Sequence, residues 1–349
     1  MSEKEREEFT YKKAGVDIYK EEEVISALVS GLSYKRKGIG SPHSLKGHYA
    51  GLVDFGEYAL VLCTDGVGTK LLVAKAMNKW DTIGIDCIAM NVNDIICLGA
   101  TPLAFVDYIA VEKPEPEIFA EIGKGLNKGA EMANISVVGG ETATLPEMVK
   151  GLDLAGTCLG YVKKEEIVKG EKIRKGDVVI GLKSSGIHSN GFSLARKIFE
   201  KNGYSYTEGY GEIESIGLEL LKPTKIYVKE ILSLLEKRFE IKGLAHITGG
   251  GLRNIVRLNR NVKFKIEEMF EPQPIFKAIQ ELGNVNEKEM YTTFNMGLGF
   301  VVVVAAEESE EVLHHLETLG SVEAKIVGRV VEETRGGGGE VVFKGMRFA

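Results

Sequence analysis

A two-domain α/β protein (α/β shading into α+β) is the fold the sequence predicts, and three observations predict it. Strand-like and helix-like patterns alternate through both halves of the chain; a charged, glycine-bounded stretch interrupts them near residue 170; and 349 residues at 44% hydrophobic content suffice for two buried cores. The boundary falls at Lys163–Lys164–Glu165–Glu166 and Gly170 to Gly176, giving an N-terminal domain of residues 1–170 and a C-terminal domain of residues 171–349.

In chain order, Tyr58 to Thr64 reads as a buried strand, Asp81 to Leu98 as a helix and Leu103 to Val111 as a strand. Pro114 to Ala133 is a helix opened by prolines, and Ile135–Val138 and Asp153–Val162 are further strands. The second half repeats the style. Strand Asp177–Leu182 leads to a helix after Asn190, a helix spans roughly Thr224 to Arg238, and Leu244 to Thr248 is a short strand. Pro274 to Leu282 is helical, Leu298 to Ala305 an apolar strand, Glu308 to Leu319 a helix and Ala324 to Val331 a final strand. Arg335 to Gly339 is a flexible turn.

The net charge of −6 is interspersed rather than blocked, which argues against a nucleic-acid surface or a membrane-binding stripe. Cys63, Cys87, Cys97 and Cys158 sit in apolar runs without metal-ligand spacing, as small core residues of a reduced cytoplasm would. Met1 to Thr10 lacks the apolar region of a signal peptide and reads as a frayed, solvated start.

Four segments carry the chemistry. Ser184, Ser185, Gly186, Ile187, His188, Ser189, Asn190 and Gly191 lie between a strand and a helix, where unpaired N–H groups and a positive dipole end suit a phosphate. Neither a Walker loop nor a dinucleotide fingerprint is present there. Asp65, Gly66, Gly68, Thr69 and Lys70 follow a strand and offer a carboxylate, close backbone approach and a cation; alone, such a segment is commonly just a turn. On the next helix Asp86, Asn91, Asn93 and Asp94 interrupt an apolar stretch, and buried carboxylates there need partners or a metal. Gly139, Gly140 and Glu141 place another acid at a strand exit. Asp65, Asp94 and Glu141 together would suit Mg2+ and nucleotide phosphates, implying an ATP-using enzyme. His188 and His246, the latter before Thr248 and Gly249–Gly251, are candidates for substrate contact or acid–base work. No Ser-His-Asp order or zinc spacing supports a hydrolase or zinc site.

Joined in order with Tyr11 to Ile18, Pro223 to Lys229 and Met290 to Gly297, these segments resemble the phosphoribosylformylglycinamidine cyclo-ligase (AIR synthetase) family of purine biosynthesis, from about residue 11 to at least 330. The resemblance implies an N-terminal domain that dimerises through its sheet into a β-barrel and a C-terminal mixed sheet flanked by helices. It implies an ATP-dependent ligase that cyclises formylglycinamidine ribonucleotide to aminoimidazole ribonucleotide, releasing ADP and phosphate with Mg2+, as a cytoplasmic homodimer. On it, Asp65, Asp94 and Glu141 would hold magnesium–ATP with Gly66, Gly68, Thr69, Asn93, Gly139 and Gly140 around the nucleotide. Lys70 would lie near the phosphates, Ser184 to Gly191 would cradle the substrate phosphate, and His188 or His246 would stand at the reacting end. Two stretches depart from the family pattern, Gly38 to Ser44 and Leu252 to Arg257, and put local loop geometry in doubt.

Related families share this architecture: thiamine-monophosphate kinase, selenophosphate synthetase, hydrogenase-maturation dehydratase and the amidotransferase-coupled synthetase. No cysteine precedes Cys63, as selenophosphate synthetase would require, and the coupled synthetase is longer. A non-catalytic nucleotide-binding scaffold is the alternative of a different class; it would be expected to lack the acids present here at 65, 94 and 141.

Overall fold

The computed structural model describes residues 9–43, 48–334 and 336–349. The frayed start expected for residues 1–8, the departing Ser44 and Arg335 of the glycine turn lie outside them.

The first layer comprises α1 (Ile18–Ser30), β1 (Pro42–His43), β2 (Gly51–Phe55), β3 (Tyr58–Gly66), α2 (Lys70–Met77), α3 (Ile83–Ile96), β4 (Thr101–Val111), α4 (Pro116–Ala133), β5 (Ser136–Thr144) and β6 (Leu152–Lys163). The second comprises β7 (Val178–Lys183), α5 (Phe192–Lys201), α6 (Ile216–Leu220), α7 (Val228–Glu236), β8 (Ile241–His246), α8 (Arg253–Val256), β9 (Val262–Ile266) and α9 (Pro274–Gly283). It ends with α10 (Glu287–Thr293), β10 (Leu298–Val304), α11 (Ser309–Leu319), β11 (Ala324–Glu333), β12 (Glu340–Phe343) and β13 (Met346–Phe348).

Among the described residues the strands form two mixed sheets, ordered β1-β2-β3-β6-β4-β5 and β13-β12-β9-β11-β7-β10-β8. Each is antiparallel except for one parallel pair, β4 with β5 and β12 with β9. Period-2 alternation explains the first sheet: Ala59, Val61 and Cys63 of β3 are buried under α3, while Leu62 between them is exposed. The helices close packing against one another where Gly84 and Gly125 stand in for side chains, since a Cβ at Gly84 would meet the Leu126 nitrogen at 2.1 Å. β10, buried at every position, lies between β7 and the edge strand β8 of the second sheet.

The segment before α1 packs on the second layer. The Phe9 N–H donates to the Gly283 carbonyl and the Tyr11 N–H to Glu289 Oε1 (2.7 Å). The departing 252–257 segment folds as the short helix α8, with the Arg257 guanidinium 4.0 Å from the Tyr49 ring centre. In the other departing loop the Gly40 N–H donates to the Asp54 carbonyl, tying the loop to β2. The helix expected from Thr224 begins only at Val228, because residues 222–227 form a loop whose backbone is taken up by Lys70, Asp86 and Asn93 at the cleft described next.

Candidate active site

α3 is the wall between the two layers. Its apolar residues face the first sheet, and its polar residues Asp86, Asn93 and Asp94 meet loops of the second layer. Asp86, fully buried, accepts at Oδ1 from the Thr224 N–H and hydroxyl (2.7 Å each), Ser189 Oγ (3.1 Å) and Lys70 Nζ (2.9 Å). Lys70, also fully buried, spends its other protons on the His188 and Lys222 carbonyls (3.0 and 2.8 Å). All three of its donors are engaged, so the expected position beside nucleotide phosphates is corrected: Lys70 clamps the two domains together.

Asn93 makes a second clamp. Its Oδ1 accepts from the Tyr227 N–H (3.0 Å) and its Nδ2 donates to the Lys225 carbonyl (2.8 Å), an arrangement that orients the amide. That amide nitrogen also faces His246 Nε2 (3.4 Å), which is therefore the acceptor, so Nδ1 carries the proton toward Asp94 Oδ1 (3.0 Å). The other Asp94 oxygen faces Cys63 Sγ (3.7 Å). His246, fully buried and stacked on Phe300, orients the carboxylate of Asp94 across the domain interface.

Asp65 comes up beside Asp94 from the end of β3. Burial, and then the Asp94 charge, push its carboxyl up to about 6. Burial and the neighbouring Asp94 charge make the ionised form of Asp65 costly in this half-closed site, a cost that a divalent cation would relieve, so the pair fits a magnesium ion. One prediction follows from the sign. Asp65 favours folding fully below about pH 4, and this is lost as pH rises through about 6. Without divalent ion, Asp65→Asn should raise the melting temperature at pH 8, the gain being at most about 3 kcal/mol, and the gain should vanish toward pH 4 in a pH series of thermal melts.

Glu141 is not brought to this pair. Rather than standing at a strand exit, it lies within β5, in register with Tyr108, Ala155 and Gly66. That row points to the exposed face of the sheet, whereas Asp65 shares the face of Gly156 and Asp107. Glu141 is also three strand spacings away, about 14 Å. The expected cluster of Asp65, Asp94 and Glu141 does not form within one chain; among the described residues no group of three or more His, Cys, Asp or Glu side chains that could hold a metal ion comes together. Asp107, absent from the expectations, shares the Asp65 face two strands over, half-buried with its carboxyl pushed up by burial. Gly140 makes room for it, since a Cβ there would lie 2.5 Å from its Oδ1; Gly139 lies beside it in β5. Its signal in the sequence was an acid breaking the apolar run Leu103–Val111.

The 184–191 loop closes the cleft from the second layer. Its hydroxyls are committed: Ser184 Oγ donates to Asn295 Oδ1 (3.0 Å), Ser185 Oγ to the Pro223 carbonyl (2.6 Å) and Ser189 Oγ to Asp86. Asn295 Nδ2 in turn holds the Gly186 carbonyl (2.9 Å). The anion cradle expected of this loop therefore falls to its backbone N–H groups, not to these hydroxyls. The donors left for an anion are the first-turn N–H groups of α5, which has no side-chain cap and no acid in its first turn, and the buried Asn190 Nδ2, which lacks a protein partner. Thr69 Oγ1 sits 3.2 Å from Ser193 Oγ, so the Asp65 to Lys70 loop, with Gly66 and Gly68 at its turn, abuts this helix end.

His188 lies in the same loop with φ of +62°, fully enclosed. Its Nε2 accepts from the Ser185 N–H (3.2 Å) and its Nδ1 is buried without a partner. Burial, reinforced by His246 and Lys70, holds its pKa well below the usual value, so it is a neutral imidazole. Gly191 at the end of the loop has φ of +76°, and a Cβ there would fall 2.1 Å from Phe294 Cε1. Gly191→Ala should therefore cost about 2 to 4 kcal/mol, measured by denaturant unfolding; an unchanged midpoint would contradict the packing described.

Family models descriptive of AIR synthase related proteins match both layers, the N-terminal domain over residues 47–162 and the C-terminal domain over residues 174–339. Curated relatives named phosphoribosylformylglycinamidine cyclo-ligase include one from Methanococcus maripaludis, 53% identical over 94% of this chain and 94% of its own. Another, from Methanocaldococcus jannaschii, is 54% identical over 96% of each. Among solved structures, AaThiL complexed with AMPPCP and TMP superposes with a TM-score of 0.63 at 17% identity, covering 93% of both chains. Hydrogenase Maturation Protein HypE in complex with ATP does so at 0.56 and 16%, covering 81% of this chain and 80% of its own.

Proposed function

The chain belongs to the AIR synthase related protein family, and from that premise we propose how its residues carry out the family chemistry. It is an ATP-dependent cyclo-ligase that converts formylglycinamidine ribonucleotide to aminoimidazole ribonucleotide in purine biosynthesis. An amide oxygen is a poor leaving group, so the formyl oxygen attacks the γ-phosphorus of ATP and ADP departs; the amidine nitrogen then closes the ring and phosphate leaves with that oxygen.

The observation that supports our assignment of roles is the Asp65–Asp94 pair facing His246 across the interdomain cleft, opposite the uncapped start of α5. Asp65 and Asp94 would hold Mg2+, which when bound neutralises the triphosphate. His246 fixes the Asp94 carboxylate by donating from Nδ1. Asn190 and the α5 N-terminus bind the ribonucleotide phosphate, and His188, a neutral imidazole whose Nε2 accepts from the Ser185 N–H, carries its proton on Nδ1 and offers it as a donor to a substrate oxygen. Positioning supplies most of the catalysis.

We further propose that the protein works as a homodimer. Leu62, Leu103, Val106, Tyr108, Val138 and Tyr161 all lie exposed on the outer side of the first sheet, an apolar surface that a second copy would cover. Glu141 shares that side, so a metal role for it would be exercised toward a partner protomer. The buried, unpaired cysteines are consistent with a reducing compartment, the cytoplasm, and among the described residues no helix is long and apolar enough to cross a membrane. Sedimentation of Val138→Asp, expected to run as monomer against a wild-type dimer, tests the interface; a wild-type monomer overturns it. The reaction itself is tested by incubating the protein with formylglycinamidine ribonucleotide, ATP and Mg2+. Equal yields of ADP and aminoimidazole ribonucleotide are expected, and ADP without the ring product would contradict cyclisation.

A further inference from the structure

α10 runs into a tight turn, Phe294 to Gly297, that lies behind both glycine loops of the second layer. The Tyr291 carbonyl accepts from the Leu252 N–H (3.0 Å) at the end of the Gly249–Gly251 loop, and the Phe294 ring fills the space where Gly191 would carry a Cβ. The turn has an uncommon shape, with Met296 at φ of +49° and Gly297 at +92°. A methionine in the left-handed region is strained, and the turn it closes brings Asn295 against Ser184 and Gly186.

Asn295 is 4% exposed. Its Oδ1 accepts from the Gly297 N–H (2.9 Å) and from Ser184 Oγ (3.0 Å), and its Nδ2 donates to the Gly186 carbonyl (2.9 Å). Only this orientation of the amide satisfies all three partners. Gln273 Nε2 adds a bond to the Ser184 carbonyl (2.7 Å), and the Ser184 N–H donates to the Gly297 carbonyl (2.9 Å). By contrast, the N–H groups of Gly186, Ile187 and His188 have no backbone acceptor among the described residues. A loop that keeps its N–H groups out of internal bonding cannot hold its own shape, so its carbonyls and hydroxyls must be held from behind.

We propose that Asn295 is a positioning residue for the substrate phosphate, a role that rests on the assignment of the 184–191 loop to that phosphate. Holding the Gly186 carbonyl fixes the loop in the shape that presents Asn190 and the start of α5 to the anion. The peptide unit is planar, so turning that carbonyl would turn the Ile187 N–H with it and redirect the chain into His188. His188, already at φ of +62°, has little freedom to compensate.

Asn295→Asp tests this role, because aspartate keeps the shape of asparagine and exchanges one donor for an acceptor. Above about pH 7 the carboxylate still accepts from Gly297 and Ser184, but its second oxygen repels the Gly186 carbonyl. Steady-state assays should then give a KM for formylglycinamidine ribonucleotide raised about 10- to 100-fold over wild type. The kcat and the KM for ATP should stay within about threefold. Buried against an acceptor, this carboxyl takes up a proton as pH falls, and the protonated acid again donates to Gly186. The ratio of variant to wild-type KM should therefore return toward one by about pH 5.5, a recovery that general destabilisation would not produce. Asn295→Ser, too short to reach Gly186 and uncharged, should raise the KM without that recovery, and it keeps the test decisive if the aspartate variant does not fold.

Asn190→Ala probes the phosphate site directly. A raised KM for Asn190→Ala with an unchanged KM for the Asn295 variants would overturn the positioning role and leave the phosphate assignment standing. An unchanged KM for Asn190→Ala would remove the phosphate assignment and this role with it. Parallel losses in kcat and in the KM for ATP, or an Asn295→Asp ratio indifferent to pH, would also overturn the role.

Discussion

Asp94→Ala should lower the rate of aminoimidazole ribonucleotide formation by about 1,000-fold, corresponding to about 4 kcal/mol of transition-state stabilisation, while leaving the protein folded. The size follows from the position of the carboxylate. One oxygen is held by His246 Nδ1 and the other faces a thiol, so the side chain is fixed where it meets Asp65, and no other described acid stands close enough to replace it. Folding should survive because Asp94 is partly exposed and its removal relieves the repulsion that pushes Asp65 up. Steady-state assays at saturating substrate, paired with circular dichroism, check both halves. His246→Gln should lose less, about 10- to 100-fold, because the carboxylate proposed to hold the metal remains and only its orientation is released. A variant lacking Asp94 that turns over normally would remove that residue from the site.

Lys70→Met should have the largest effect on stability, about 3 to 5 kcal/mol. The ion pair with Asp86 has both side chains fully buried, and four donors converge on the Asp86 carboxylate from two domains. Removing the lysine leaves a buried charge still held by Thr224 and Ser189 but no longer neutralised. It also orphans the carbonyls of His188 and Lys222. Denaturant unfolding should show the loss in the wild type background, and Lys70→Met/Asp86→Asn should recover part of it by removing the stranded charge. If the single variant unfolds at the wild-type midpoint, Lys70 is not the interdomain clamp, and the phosphate-binding role expected from the sequence returns.

Much of the fold was legible because it is written in periodicity. β3, β6, β7 and β10 are apolar runs, and α3, α4, α9 and α11 have clear helical stripes, so their expected and observed spans nearly coincide. Elements whose identity depends on their neighbours were not legible. The short β9, β12 and β13 owe their existence to pairing with β11 and with one another, and α2 follows the glycine turn at 65–70 in a stretch that the sequence reading leaves unassigned. β5 illustrates the limit most clearly. Gly139 and Gly140 read as a strand exit, but the parallel pairing with β4 carries the strand through Glu141 to Thr144.

The same distinction applies to the site. Asp94 and His246 stood out as polar residues in apolar stretches that need partners, and the structure pairs them with each other, with Asp65 beside Asp94 as a like charge. Which partner a buried polar residue takes is a question of tertiary structure. Lys70 has the composition of a phosphate ligand but is turned inward to Asp86, and the hydroxyls of Ser184, Ser185 and Ser189 are used to brace the loop rather than to line a cradle. Pleat parity, which cannot be counted across four strands from sequence alone, sends Glu141 to one face and Asp107 to the other.

The central claim is that Asp65 and Asp94 together receive the divalent ion that accompanies the nucleotide. A crystal grown with Mn2+ and a non-hydrolysable ATP analogue, analysed by anomalous scattering, tests it most directly. A manganese peak should lie between the two carboxylates, within about 2.0 to 2.4 Å of an oxygen from each and bridged to the triphosphate. A peak bound elsewhere, with both carboxylates free of it, would contradict the account.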